Sequence, residues 1–97
     1  MKIKNGDKKG DVDSLFICEE SNTHYLLERK RHAGMDVIDQ MNNTRTLYAE
    51  LNGEGIKIVS VLFAEALSLD LIEKARENGF FVLSDALELL PPSQYRS

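Results

Sequence analysis

Between Ile56 and Ala64 the chain is apolar at every position except Lys57 and Ser60. Apolar side chains on both faces of one strand are the signature of a strand inside a parallel or mixed sheet with material on either side. The run therefore predicts a central strand buried on both faces, and such a strand needs neighbouring strands and crossover helices. The flanking sequence reads as their supply. Val12, Ser14, Phe16 and Cys18 fall on one face of an extended segment, and Asp13, Leu15 and Ile17 on the other. Glu19-Glu20-Ser21-Asn22 makes a polar turn, and a second strand runs from about His24 to Arg31. On it Tyr25, Leu27, Arg29 and Arg31 oppose His24, Leu26, Glu28 and Lys30, so the pair reads as a hairpin.

Ala33-Gly34 breaks that strand. Asp36 then suits the cap of a helix with an apolar stripe of Val37, Ile38, Met41, Tyr48 and Leu51, bridged by Thr44 and ended at Asn52-Gly53. After the apolar run, Ser68 is an N-cap for a second helix that buries Leu71, Ile72 and Ala75, carries an Asp70/Lys74 pair and ends at Gly79. Phe80 to Leu83 is a last short strand, and residues 2 to 10 make at best a short edge strand and a turn. The order describes an α/β domain: a mixed sheet with an antiparallel meander, a crossover helix and flanking helices.

Ninety-seven residues suffice for one domain, expected over 1–90, with 91–97 after Pro91-Pro92 as a flexible C-terminal tail. No apolar run reaches membrane-spanning length and the N-terminus lacks a signal sequence, so the expected setting is cytoplasmic, with no membrane partner. A lone Cys18 excludes a disulfide framework and a multi-cysteine metal site, and reads as a small core residue. His24 and His32 have no second His or Cys at zinc-ligand spacing. Ser14 and Ser60 lack a partnered base, and there is no glycine-rich phosphate loop. With a net charge of −4, a polyanion has to be met by a local basic patch or by a divalent metal held on carboxylates.

A hairpin turn centred between Glu20 and Ser21 pairs Ile17 with His24, Leu15 with Leu26 and Asp13 with Glu28. Asp13, Glu28 and Lys30 then share one face. Directly opposed residues stand about 4.5 to 5.5 Å apart at Cβ, so two carboxylates there repel unless a cation lies between them. Magnesium suits such an oxygen site, since it takes one or two protein carboxylates and leaves room for water and a phosphate. Lys30 would point an ammonium group into the same volume, to hold a phosphate oxygen or to help activate a water. The implied reaction is metal-assisted phosphodiester hydrolysis. Arg29, Lys30, Arg31 and His32 form the densest basic cluster of the chain and are candidates for contact with backbone phosphates.

Gly10-Asp11-Val12-Asp13-Ser14-Leu15-Phe16-Ile17 followed by Tyr25-Leu26-Leu27-Glu28-Arg29-Lys30-Arg31 resembles the two-part signature of the PD-(D/E)XK, or restriction-endonuclease-like, superfamily. A bare Glu-x-Lys triplet carries little weight. Its weight comes from an Asp upstream on a paired strand, matched parity, a following helix and an apolar strand after that. The similarity spans roughly residues 10 to 85. The resemblance implies a restriction-endonuclease-like fold and a magnesium- or manganese-dependent nuclease acting on DNA or RNA. Asp13 and Glu28 would be metal ligands, the main-chain carbonyl of Arg29 a third, and Lys30 the catalytic lysine. Gln40, one turn into the first helix, is a candidate for positioning water near the metal. Asp11 competes with Asp13, because a two-residue slip exchanges them. The alternative function is a catalytically degenerate module of this type that serves oligomerisation or partner binding, as a homo-oligomer or as part of a larger protein.

Overall fold

The structure, a computed structural model, describes residues 1–84; the expected domain end near residue 90 and the tail at 91–97 lie outside the described residues. The chain opens with an antiparallel hairpin of β1 (Lys2–Asn5) and β2 (Lys8–Asp11), turning at Gly6, whose φ of 64° suits a residue without Cβ. This is more than the short strand and turn expected from a segment rich in lysine. Two anchors hold the hairpin: Ile3 and Val12 are both buried and join Leu26, Leu47 and Tyr48 in one apolar cluster. Val12 therefore leaves the strand face it was assigned, and its N–H donates to the Met1 carbonyl at 2.9 Å. Gly10 permits the close approach, since a Cβ there would lie 3.0 Å from Thr44 Oγ1 and 3.3 Å from Thr44 Cα.

The main sheet is mixed, with β3 (Ser14–Cys18), β4 (Thr23–His32), β5 (Lys57–Ala66) and β6 (Phe81–Leu83) side by side in that order. β3 and β4 are antiparallel, with Ile17 opposite His24 and Leu15 opposite Leu26, the register expected from the turn. Asn22 takes the left-handed backbone region in that turn at φ 51°, a conformation short polar side chains tolerate. β4 to β5 and β5 to β6 are parallel, and each pair is joined by a helix, α1 (Asp36–Asn52) and α2 (Leu69–Glu77).

Both helices lie on one face of the sheet. Leu62 of β5, with no exposed surface, packs in one cluster with Val37, Ile38 and Met41 of α1 and Leu71 and Ala75 of α2. The expectation of burial on both faces of β5 is therefore corrected. Ser60, Leu62 and Ala64 are buried beneath the helices, while Val59, Val61 and Phe63 are half-buried and point to a face that carries no helix among the described residues. On that same face Phe16, Phe81 and Leu83 are 59%, 62% and 53% exposed. Cys18, expected in the core, is also exposed.

Smaller corrections concern the helices. Met35 occupies the cap position of α1 with no side-chain cap bond, and Asp36 is the first helical residue. Leu47, not Leu51, completes the buried stripe of α1, and Leu51 is 47% exposed. In α2, Ser68 Oγ accepts from the Leu71 N–H as expected. Lys74, however, pairs with Glu77 at 3.7 Å instead of Asp70. Among the described residues no helix is long and apolar enough to cross a membrane.

Candidate active site

β4 continues past the end of β3: Ser14 pairs with Leu27, so residues 28–32 have no β3 residue opposite. Asp13 stands at this junction. Its N–H donates to the Leu27 carbonyl at 3.0 Å, and its Oδ2 accepts from the Arg29 N–H at 2.6 Å. The carboxylate thus replaces the strand partner that β4 loses there, which fixes it beside Glu28 through main-chain geometry.

Glu28 and Lys30 share the helix-covered side of β4 with Leu26. The Glu28 carboxyl is held above its ordinary range, first by partial burial and then by the Asp13 carboxylate next to it. Lys30 opposes the shift, with Nζ 3.7 Å from Glu28 Oε1, while Asp11 and a hydrogen bond with Asp13 add to it. The structure therefore brings together Asp13, Glu28 and Lys30. Of the two competing aspartates, Asp13 is held beside Glu28 by the Arg29 N–H, whereas Asp11 lines the cleft with Glu28 and Lys30 and lies 3.4 Å from the N-terminal ammonium group.

A cleft of about 240 Å³ opens beside Glu28 and Lys30, with β2 supplying Lys9, Gly10 and Asp11 and α1 supplying Gln40, Asn43 and Thr44. Gln40 is thus on the cleft wall, its Nε2 donating to Asp36 Oδ2 at 3.4 Å. Beneath it, Ser60 Oγ is fully buried with no hydrogen-bond partner among the described residues. It borders a cavity of about 10 Å³ shared with Glu28, Thr44 and Met41, close to the size a single water needs.

The basic run does not converge on this cleft. The Arg29 guanidinium lies over the Phe63 ring, 5.3 Å from its centroid, and Arg31 Nε is 3.6 Å from Glu65 Oε2. Both side chains are on the uncovered face, opposite Glu28 and Lys30, because consecutive strand residues alternate sides. His32 is exposed at the end of β4. His24 is hydrogen-bonded through Nδ1 to the Tyr48 hydroxyl.

Lys9, Asn43, Thr44 and Ser60 were not anticipated as site residues. Asn43 and Thr44 follow Gln40 by three and four positions and so share its helix face, a signal present in the sequence. Ser60 is the one uncharged polar residue of the apolar run and aligns with Leu26. Among the described residues no three His, Cys, Asp or Glu side chains gather into a complete metal cage, so the site offers a carboxylate pair and not a closed centre. Set against known proteins, the chain matches no family model, no curated protein and no solved structure.

Proposed function

We propose that this chain is a magnesium-dependent nuclease domain of the restriction-endonuclease-like type, hydrolysing phosphodiester bonds of DNA. The carrying observation is the meeting of Asp13, Glu28 and Lys30 at the β3–β4 junction, where Asp13 lies beside Glu28 and Glu28 and Lys30 line a cleft with polar walls that Asp11 also borders. Two adjacent carboxyl groups, one held above its ordinary range with a lysine already beside it, make a site still short of positive charge. An all-oxygen donor set of this kind fits magnesium or manganese, which needs only one or two carboxylates when phosphate and water complete its shell.

In this reading Asp13 and Glu28 would hold the ion. The Arg29 carbonyl would be a third donor, since in an extended strand it lies on the same edge as the N–H that Asp13 accepts. When bound, the ion supplies a lowered water pKa and neutralises charge developing at phosphorus. Lys30 directs its ammonium group at the attacking water or at a phosphate oxygen. The Arg29 N–H holds Asp13 in one orientation, so the carboxylate does not have to reorganise during reaction. Lys9 and the second N–H of each of the Asn43 and Gln40 amides, whose first N–H groups donate to the Lys9 carbonyl and to Asp36, are donors for a phosphate in the cleft. The chain's net charge of −4 leaves binding to such local groups and to the ion.

The test is nicking of supercoiled DNA by pure protein with magnesium or manganese, expected to fall about 100-fold or more in Glu28→Ala and Lys30→Ala variants that keep their circular dichroism. DNA left intact by the unaltered protein with either metal overturns the reading. The second reading, a degenerate module that binds a partner, is favoured by the uncovered apolar face. Calorimetry separates the two: manganese binding that disappears in Asp13→Ala supports the nuclease, and no binding supports the module.

A further inference from the structure

The face of the sheet away from the helices carries an apolar centre in which Phe16, Leu27, Val61, Phe63, Phe81 and Leu83 stand side by side, three of them more than half exposed. An uncovered apolar face of this kind marks an interaction surface. Its two ends differ in charge. At the C-terminal end of β4, Arg29 and Arg31 lie on this face, and among the described residues Glu65 is the acidic neighbour, paired to Arg31. Beyond the opposite end of the strands, the β3–β4 turn carries Glu19 and Glu20 and the loop before β5 carries Glu54, all exposed, next to Lys57, which strand alternation places on this face. Turn and loop are tied together by a hydrogen bond from the Asn22 amide to the Gly55 carbonyl.

We propose that this face binds the same face of a second copy of the chain, forming an isologous dimer with a helix, sheet, sheet, helix layering. A surface that is basic at one end, acidic at the other and apolar between is complementary to itself under a two-fold axis lying between the sheets and perpendicular to the strands. That axis sets β4 against an antiparallel β4 of the partner. It brings the Arg29/Arg31 end of each copy against the Glu19/Glu20/Glu54 end of the other. Leu27 is at mid-length of β4, and its row, continued by Val61 and Phe81, meets its own copy near the axis. Four strands spaced about 4.8 Å apart, with the longest about 33 Å, give a footprint of roughly 500 Å² per copy. Roughly 1,000 Å² in total is the low end of what specific interfaces bury, so the dimer is a reversible one. The surface is separate from the cleft, which opens on the helix side, so dimerisation leaves Glu28 and Lys30 accessible and does not depend on the nuclease reading.

Sedimentation equilibrium of the full chain from about 1 μM to about 1 mM should show a monomer–dimer equilibrium, as interfaces of this size lead one to expect. Phe16→Glu and Phe81→Glu replace side chains already exposed in the single chain, so both should fold normally and weaken self-association at least ten-fold. The decisive arm reverses charge at one end at a time. Arg29→Glu/Arg31→Glu and Glu19→Arg/Glu20→Arg variants should each self-associate at least ten-fold more weakly than the unaltered chain, and a mixture of the two should recover a one-to-one dimer. A strictly monomeric protein overturns the proposal, as it would if residues 85–97 of the same chain covered the face. A dimer indifferent to Phe16→Glu and Phe81→Glu overturns it too, and so does failure of the mixed charge variants to associate.

Discussion

The two sides of β4 separate two tasks within ten residues. Leu26, Glu28 and Lys30 look toward the helices, where burial raises the Glu28 carboxyl and α1 and β2 wall a cleft. Tyr25, Leu27, Arg29 and Arg31 look the other way, across a sheet face that no helix among the described residues covers. The charged groups of the helix side are few, close together and partly withdrawn from water. Those of the open side are spread to the ends of an apolar surface. The first arrangement suits chemistry on a small charged group, and the second suits adhesion.

The contrast is most directly broken by matched truncations. Leu62→Ala, beneath both helices with no exposed surface, should cost about 2 to 5 kcal/mol in chemical denaturation. Phe81→Ala on the open face should stay within about 0.5 kcal/mol for the monomer. Equal losses would mean that the open face is not open.

A smaller effect tests how tightly β2 is seated on α1. Gly10→Ala places a methyl group 3.3 Å from the Thr44 backbone and should destabilise by about 1 to 3 kcal/mol. Gly34→Ala, whose nearest neighbour is the flexible Asp36 carboxylate, should cost less in the same denaturation assay.

The sign of the pH response sharpens the electrostatic half of the comparison. Glu28 has a folded-state pKa above its unfolded value, so ionising it opposes folding once the pH exceeds the ordinary carboxyl range. Glu28→Gln should therefore raise thermal stability at neutral pH, with the gain vanishing as the pH drops below the ordinary 4.5. Magnesium or manganese should stabilise the unaltered protein increasingly as pH rises and leave Glu28→Gln unmoved. The smallest expected change is in Arg31→Ala, whose side chain faces away from the cleft: nicking should stay within about two-fold, consistent with an exposed pair of little weight.

How much of this was legible in the amino-acid order follows from which signals carry direction. The β3–β4 turn fixed the register, and with it the meeting of Asp13 and Glu28, because slipping by one residue would turn every side chain to the wrong face. The helices were legible from their periodicity, except where the last turn of α1 leaves Leu51 exposed. The uncovered face was not legible, since an alternation of Val59, Val61 and Phe63 with Ser60, Leu62 and Ala64 reads the same whether one side or both are buried. The opening hairpin was missed because Ile3 alone gives no period, and its second anchor, Val12, is nine residues away. The run Arg29 to His32 looked like one cluster in the sequence, yet the pleat divides it between two faces.

Residue 29 is where the two surfaces are hinged together. Its amide grips the Asp13 carboxylate on one side while its guanidinium covers Phe63 on the other. Any side chain that leaves the amide in place preserves the spacing of the acidic pair, so the outward identity of this position is free to follow whatever the exterior encounters. The contacts made by the back of the sheet can thus be rewritten one substitution at a time without disturbing the chemistry at its front.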